Sequence, residues 1–566
     1  MSNLIVEIDQ GKLKGCEAKD YHGGKFFKFL NIPYAKAPIG DLRFKAPQPP
    51  DSWDNVRDAT KEGPECPSGD MYFTYFIGNE DNCLNLNVYT KEIPKDDSLT
   101  KKPVMVWIHG GAFTTGSNKS DMYGPDYLMT QDIVLVTINY RLGILGFSSF
   151  KDKSLDVPGN AGLKDMRMAL KWVQNNIEKF GGNKNNVTLF GESAGAASVH
   201  YLMLSPTTKG LFHKAIIQSG SALNNWSWGK NNSAEIAKVM NYKETDEKTI
   251  FEKLKKESAK SIYNGQRNHK EDFLASKIRP FGPVVEPPSD HAILTQSPHE
   301  LMQNEGAHKI PVIIGYNSKE GIFFELVRRT YPDLQFPHDL EHDIPFELEL
   351  HNDKEKAKEV AEKMKKLYFG DEQCSEDTIE KVYLLKGDVN FVHSIQRTIK
   401  LQLKHSDQPV YTYRMSLNGP LNYFHRFALC KNFKMTIFFT FLSKVSPIMR
   451  NYILNTIKNT PKKDLEGVAH ADDLFHLFST FFTPSIQKGS QEDLYIQRFV
   501  KLWTNFARYG EPTPHDDETL NSVKWIPSSL DNIQFLDIGP ELSLIENVDK
   551  ERIQFWDQLY DEHLKV

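Results

Sequence analysis

The segment that most restricts the fold of this chain is an apolar run that ends in a serine between two glycines. Residues 186–202 read NVTLFGESAGAASVHYL, and within them GESAG occupies positions 191–195. A GxSxG pattern between a strand and a helix is typical of a very sharp turn, which holds a serine hydroxyl exposed above the edge of a sheet. Glycine is required at 191 and 195 because a side chain there would collide with the neighbouring strand and helix. Ser193 is therefore the candidate nucleophile.

Several continuous apolar runs on either side of this motif predict strands that are buried on both faces. They occupy 103–108 (PVMVWI), 132–139, 212–218 and 312–315. Such runs are typical of a parallel sheet covered by helices on both sides.

A helix is predicted between two of these runs. Residues 163–179 carry apolar side chains at helical spacing and end at a pair of glycines. The runs at 4–8 and 25–35, followed by proline-rich turns, predict a small antiparallel beginning to the larger sheet.

Length and charge set the domain organisation and exclude some partners. At roughly 150 residues per domain, 566 residues would suggest about four domains. No linker-like segment divides the chain, so we predict one domain over 1–566 with a helix-rich insertion lobe at about 325–465. The 69 basic and 74 acidic residues are nearly balanced and mixed along the chain, which does not favour nucleic-acid binding.

The N-terminus and the cysteines bear on the cellular location. No basic start followed by an apolar stretch is present, so no signal peptide is predicted and a cytoplasmic location is expected. The most apolar stretch, 435–442, is too short to span a bilayer, so no transmembrane segment is predicted. Five cysteines form an odd, sparse set that favours free thiols. Cys66 and Cys83 are close enough to close a loop if the compartment is oxidising.

A glycine loop after one predicted strand could stabilise the negative charge that forms when a serine attacks a carbonyl group. Residues 109–113 (HGGAF) directly follow PVMVWI, which is the expected place for backbone donors to such an oxyanion. We assign the backbone N–H groups of Gly111, Ala112 and Ala194 to this role. The alternative is a plain glycine turn, which would be the default interpretation without Ser193 nearby.

Several long motifs together resemble the type-B carboxylesterases, the family that also contains the cholinesterases, and the chain is most similar to the insect α-esterases. They are HGGAF (109–113), NYRLGILGF (139–147), GNAGLKDMRMALKWVQNNIEKFGGN (159–183), FGESAGAASV (190–199), EDNCLNLNVYT (80–90) and LWTNFARYGEP (502–512). The resemblance runs from about residue 5 to about residue 560. It implies an α/β-hydrolase fold, with a large, mostly parallel central sheet flanked by helices and with helical lid or side-lobe insertions.

The same resemblance implies hydrolysis of carboxylic esters by a serine enzyme. Small-molecule esters would be the substrates, and organophosphates or carbamates would be covalent inhibitors. No metal ion or other cofactor is implied, and the sequence has neither an HExxH zinc pattern nor a GxxxxGK phosphate loop.

The family completes its triad with a glutamate and then a histidine, and two segments match. IPVIIGYNSKEG (310–321) resembles the family's strand and loop ending in Glu-Gly, which selects Glu320 as the acid. GVAHADDLFHLF (467–478) resembles the family's His-x-Asp-Glu-Leu block and selects His470 as the base. Activity is then expected to rise as His470 becomes neutral, near a pKa of roughly 6.5.

Other residues compete for these two roles. Glu286 and Glu325 are rival carboxylates, although each is more typical of a structural or surface residue. His476 is the nearest rival base among 18 histidines.

The family's acyl-pocket segment resembles 218–228 (QSGSALNNWSW), in which Trp226 aligns with an aromatic residue that narrows the pocket of insect α-esterases. The hypothesis is a preference for short or medium acyl chains. The alternative is that Trp226 only packs in the core.

Three departures from the family pattern stand out. Ala112 replaces a glycine, which a backbone donor tolerates, and Met166 replaces a common glutamine. The segment 421–449 is longer and more apolar than expected; its cluster could line an entrance or touch lipid, although burial in the side lobe is favoured. The cluster comprises Phe433, Ile437, Phe438, Phe439 and Phe441.

The leading functional hypothesis is therefore clearance of apolar xenobiotic or lipid-derived esters. A protein that sequesters esters or organophosphates with little turnover is the alternative. A non-catalytic adhesion relative is disfavoured because all three triad residues are present. A hormone esterase is disfavoured by Glu192, where those relatives often have glutamine, and acetylcholine hydrolysis is weakly supported.

Overall fold

A computed structural model describes residues 4–69, 75–95, 100–268, 280–330, 340–429, 466–481, 483–546 and 548–564. Within these residues the chain forms an eleven-stranded sheet, a three-stranded sheet and a two-stranded sheet. The strands are β1 Ile5–Ile8, β2 Gly11–Lys14, β3 Cys16–Lys19, β4 Lys25–Pro33, β5 Arg57–Asp58, β6 Ser68–Gly69, β7 Phe76–Ile77, β8 Asn85–Thr90, β9 Lys102–Ile108, β10 Val134–Ile138, β11 Gly182–Glu192, β12 Lys214–Gln218, β13 Val312–Asn317, β14 Val410–Met415, β15 Gln534–Ile538 and β16 Leu542–Glu546.

The large sheet is parallel in its centre and antiparallel at both edges. Its spatial order is β16-β15-β14-β13-β12-β11-β9-β10-β8-β4-β3. Every pairing from β10 to β15 is parallel, with register pairs such as Val134–Val104 and Leu189–Val106. Strands β3, β4 and β8 form an antiparallel edge, as predicted for the run at 25–35, and β16 closes the other edge. The prediction is wrong for the run at 4–8, because its strand β1 pairs with β2 in the separate three-stranded sheet.

Helices lie between and around these strands. They are α1 Gly143–Phe147, α2 Ala161–Asn176, α3 Ala194–Leu204, α4 Ser233–Val239, α5 Glu247–Lys256, α6 Ala259–Asn268, α7 Pro298–Asn304, α8 Phe323–Thr330, α9 Lys354–Phe369, α10 Ile379–Gly387, α11 His393–His405, α12 Tyr423–Leu429, α13 Gln491–Tyr509 and α14 Lys550–His563. The helix predicted over 163–179 begins two residues earlier, and its last turn is a 3₁₀ helix, Ile177–Phe180.

The core is divided by the sheet because successive side chains of a strand point to opposite faces. On β9, Val104, Val106 and Ile108 pack with α2 and α3, whereas Met105 and Trp107 pack with α13 on the other face. Both faces are therefore covered, and the buried part of the strand, 103–108, is apolar throughout. The structure confirms the α/β-hydrolase fold.

The range expected to hold an insertion lobe contains helices α8 to α12 and also supplies β14 to the central sheet. The apolar cluster between Phe433 and Phe441 lies outside the described residues. No helix in the described part of the chain is both long enough and apolar enough to cross a bilayer.

Two of the five cysteines form a disulfide, so the free-thiol interpretation is wrong for that pair. Cys66 and Cys83 are bonded and buried, while Cys16 and Cys374 are free. The expectation failed because cysteine number says nothing about which Cβ atoms the fold brings together. The cytoplasmic location stays a prediction, and the disulfide counts against it because such bonds persist mainly in oxidising compartments.

Candidate active site

The candidate nucleophile lies at a strained turn between β11 and α3. Ser193 has φ 57° and ψ −123°, a backbone conformation that a residue with a side chain rarely adopts. Its N–H donates to the carbonyl oxygen of Gln218 at 2.9 Å, which anchors the turn to the next strand. A Cβ at Gly191 would lie 2.6 Å from the carbonyl carbon of Gly195, and one at Gly195 would collide with the backbone of Ile108. The two glycines are thus required by close backbone packing, as the sequence predicts.

The predicted base and acid, His470 and Glu320, form a continuous chain of contacts with this serine. The Nε2 atom of His470 is 2.9 Å from Ser193 Oγ, and its Nδ1 atom is 2.6 Å from Oε2 of Glu320. A carboxylate accepts from Nδ1–H, which leaves Nε2 free to accept the serine proton. The three residues are all buried, and they are brought together from positions 277 and 150 residues apart.

The acid is fixed in place by two donors that leave one oxygen free for the histidine. Ser219 Oγ and the backbone N–H of Asn317 both donate to Oε1 of Glu320, each at 2.6 Å. Ser219 has φ 55° at the end of β12. Sequence reasoning missed Ser219; a serine directly after a predicted buried strand was the available signal, since it lies at the same sheet edge as Glu320.

The rival residues have other partners. Glu286 pairs with Lys164 and accepts from Asn160. Glu325 is held by two arginines and by Tyr383. His476 is buried, with its ring 6.1 Å from that of Phe499. None of the three is placed at Ser193.

A second carboxylate reaches the histidine. Oε1 of Glu192 lies 3.1 Å from Nε2 of His470, and both side chains are buried. Burial alone would lower the pKa of His470, yet Glu192 and Glu320 outweigh it and raise that pKa above its ordinary value. Burial also raises the pKa of Glu192. The histidine therefore holds its proton more tightly than the value of roughly 6.5 used for the sequence.

A third carboxylate ties the strand ends together. Asp473 accepts from the side-chain amides of Gln218 at 2.7 Å and Asn317 at 3.2 Å, and the indole of Trp503 donates to Gln218 at 3.0 Å. Asn317 also donates to the carbonyl of Ala469, next to the histidine. Burial raises the pKa of Asp473 to about 6, although the two amides favour its charged form. These hydrogen bonds fix the segment around His470 against the ends of β12 and β13. The sequence analysis did not predict them.

The predicted oxyanion donors lie beside the serine. A Cβ on Gly110 would be 3.1 Å from Cβ of Ser193, so the 109–113 loop abuts the nucleophile. Among the described residues, the N–H groups of Gly111, Ala112 and Ala194 donate to no protein acceptor. Unused backbone donors next to a nucleophile are the arrangement that an oxyanion requires.

Trp226 does not contact the catalytic histidine directly; the ring of Phe391 lies near both residues. Its indole donates to the carbonyl oxygen of Asn390 at 2.6 Å, within a π-helical turn, Asp388–Val392. The ring of Phe391 in that turn lies 4.3 Å from the ring of His470 and 5.8 Å from Trp226. Turns of this kind occur often at functional sites. Phe391 and Phe323 form an aromatic wall against His470. Trp226 supports this wall from behind, and Phe391 is the residue that contacts the site.

A serine, a histidine and a carboxylate aligned at the carboxyl edge of a doubly covered parallel sheet define a serine hydrolase of the α/β-hydrolase class. Comparison with known proteins narrows this class. The model of the Carboxylesterase family matches residues 2–556, and the chain belongs to that family.

Individual relatives agree with this assignment. Esterase B1 of Culex pipiens is 31% identical over 99% of this chain and 98% of its own length. Juvenile hormone esterase of Tribolium castaneum is 33% identical over 93% of this chain and 86% of its own length. The crystal structure of juvenile hormone esterase from Manduca sexta, with OTFP covalently attached, has a TM-score of 0.80 and 28% identity over 98% of this chain and 99% of its own. The chain is a carboxylic ester hydrolase.

Proposed function

We propose that this esterase acts through an acyl-enzyme on Ser193, with His470 as base and Glu320 as the acid that holds it. The observation that carries the proposal is the continuous chain from Ser193 Oγ to His470 Nε2 at 2.9 Å and from His470 Nδ1 to Glu320 at 2.6 Å. Such a chain activates a hydroxyl that is otherwise a weak nucleophile.

The steps follow from these contacts. As Ser193 Oγ bonds to the ester carbonyl carbon, His470 Nε2 takes its proton and the carbonyl oxygen becomes an oxyanion facing the 111, 112 and 194 amides. His470 then gives that proton to the leaving alkoxide, and the bond from the carbonyl carbon to this oxygen breaks. A water molecule next loses a proton to His470 and bonds to the acyl carbon. The bond from this carbon to Ser193 Oγ then breaks, Oγ takes the proton back from His470, and the acid leaves.

We further propose that the substrates are apolar esters of xenobiotic or lipid origin with short or medium acyl groups. The aromatic wall of Phe391 and Phe323 against His470, supported by Trp226, favours apolar groups of limited length. Organophosphates and carbamates are expected to inhibit by modifying Ser193. The crystal structure of the Manduca relative has OTFP covalently attached, which fits this expectation.

The test is stopped-flow hydrolysis of 4-nitrophenyl butyrate by the native chain and by Ser193→Ala. A burst followed by steady turnover, lost by a factor of about 10⁶ in kcat in the variant, is expected. Ser198→Ala is the matched control because this buried serine lies one turn along α3 and donates to the carbonyl of Ala194.

Two other results would change the conclusion. A burst of about one equivalent with almost no turnover would favour the sequestering alternative. Equal rates in the native chain and Ser193→Ala would contradict the role given to the triad.

A further inference from the structure

The loop that carries two of the oxyanion donors is held in a strained conformation. Gly111, Ala112 and Phe113 have φ values of 107°, 52° and 61°. Ala112 and Phe113 have side chains, and a left-handed backbone costs such residues on the order of 1–3 kcal/mol each. A run of this kind persists only where the surrounding structure enforces it.

One side of the loop is held by a tyrosine. Tyr140 Oη donates to the carbonyl oxygen of His109 at 2.9 Å, just ahead of the donor residues. The rings of these two residues are stacked, with centroids 4.3 Å apart and planes 18° apart. Burial lowers the pKa of His109 to about 4 and raises the pKa of Tyr140 well above its ordinary value. The stack therefore stays neutral and the hydroxyl stays a donor at working pH.

The Phe113 side of the loop is held by residues that follow Tyr140 closely in the chain. The N–H of Gly143 donates to the carbonyl oxygen of Phe113 at 2.7 Å. The buried ring of Phe113 packs edge-on against Phe147, with centroids 5.2 Å apart. The carbonyl groups on both sides of the donor pair are thus fixed by residues 140–147.

We infer that Tyr140 is a positioning residue for the oxyanion loop, acting through the carbonyl oxygen of His109 while Gly143 and Phe147 hold the Phe113 side. The inference rests on the proposed acyl-enzyme mechanism, because it concerns the donors that this mechanism uses. Tyr140 touches no reacting atom. Its contribution is to keep the amides of Gly111 and Ala112 aimed where charge develops, which matters more in the transition state than in substrate binding.

The test compares Tyr140→Phe with the native chain, using 4-nitrophenyl butyrate and an alkyl trifluoromethyl ketone that forms a hemiketal oxyanion on the serine. Loss of an oxyanion donor costs about 10²–10³ in kcat, so donors that are only misaligned should cost roughly tenfold. We expect kcat to fall by about that factor with KM nearly unchanged. The inhibition constant of the ketone should rise in parallel, and the pH of half-maximal activity should stay unchanged because His470 is not affected.

Tyr34→Phe is the matched control. The buried hydroxyl of Tyr34 donates at 2.6 Å to the carbonyl oxygen of Asn139, the residue before Tyr140, and its hydrogen bond does not involve the loop. This variant should lose stability comparable to that lost by Tyr140→Phe and keep both kcat and ketone affinity. If Tyr140→Phe does not fold, Phe147→Leu loosens the opposite side and should give the same pattern at smaller size.

Unchanged kcat and ketone affinity in the variant that folds would overturn the inference, as would a loss confined to KM or one equalled by Tyr34→Phe. If the native chain showed no turnover that depends on Ser193, the proposed function would fail instead. The native and Ser193→Ala measurements therefore separate the two failures.

Discussion

Charged side chains are buried in two regions of this molecule, and the regions differ in how the charges are balanced. Around α2, Arg141 donates to Asp165 at 2.6 and 2.8 Å, and Lys164 pairs with Glu286. Each carboxylate there faces a cation. Around His470, Glu192 and Glu320 contact one imidazole and Asp473 adds a third nearby negative charge, while the other partners of Glu320 and Asp473 are neutral amides and a hydroxyl.

This difference separates charges that stabilise the fold from charges that act on the proton affinity of the catalytic histidine. In a buried pair of opposite charges each ion compensates the other, and removing one partner leaves an uncompensated charge. An excess of carboxylates around one histidine instead raises its affinity for a proton, which suits a group that must take a proton and return it. The comparison therefore predicts that replacing a carboxylate near His470 lowers activity more than stability, and that replacing one near α2 lowers stability more than activity.

Glu320→Gln should produce the largest effect. The amide cannot stabilise the imidazolium, so kcat should fall by about 10³–10⁴ with little change in stability. Steady-state hydrolysis of 4-nitrophenyl butyrate together with thermal unfolding measures both quantities. A kcat within tenfold of the native value would remove Glu320 from the mechanism.

Glu286→Gln should show the reverse pattern. It leaves the buried Lys164 ammonium without its carboxylate, which costs about 3–5 kcal/mol of stability when one partner of a buried pair is lost. The midpoint of urea unfolding should fall, while kcat of the folded protein stays within about twofold. A catalytic loss as large as that of Glu320→Gln would show that the two carboxylates are not separated as the structure places them.

Glu192→Gln should produce the smallest effect, and it concerns pH. His470 must be neutral to act as base, so activity rises as pH rises through its pKa. That pKa is raised by Glu192, and the rise should therefore begin above the roughly 6.5 expected from the sequence. Removing the negative charge should lower the pKa and move the rise to lower pH. The profile of kcat/KM between pH 5 and 10 measures this, and a shift to higher pH would contradict it.

Much of the site could be predicted because its parts follow from local sequence. Ser193 and its glycines are specified by close backbone packing over five residues. Glu320 and His470 were selected by the resemblance of their segments to a known family, and Glu320 also follows a buried strand whose end lies at the same edge. Ser219 and Asp473 could not be assigned in this way. Two adjacent aspartates follow His470, and the pattern does not indicate that Asp472 accepts backbone N–H groups while Asp473 accepts side-chain amides.

The sequence by itself determined the doubly buried strands and the sharp turn at Ser193, since each depends on residues close together in the chain, and its resemblance to the type-B carboxylesterases selected Glu320 and His470. The tertiary structure decided which residues contact each other. It formed the disulfide between Cys66 and Cys83, placed the carboxylates around His470, and brought the hydroxyl of Tyr140 to the carbonyl oxygen of His109. The reason is physical. Hydrogen bonds and pKa shifts depend on distances and burial, and these are set only when strands far apart in the chain become neighbours in one sheet.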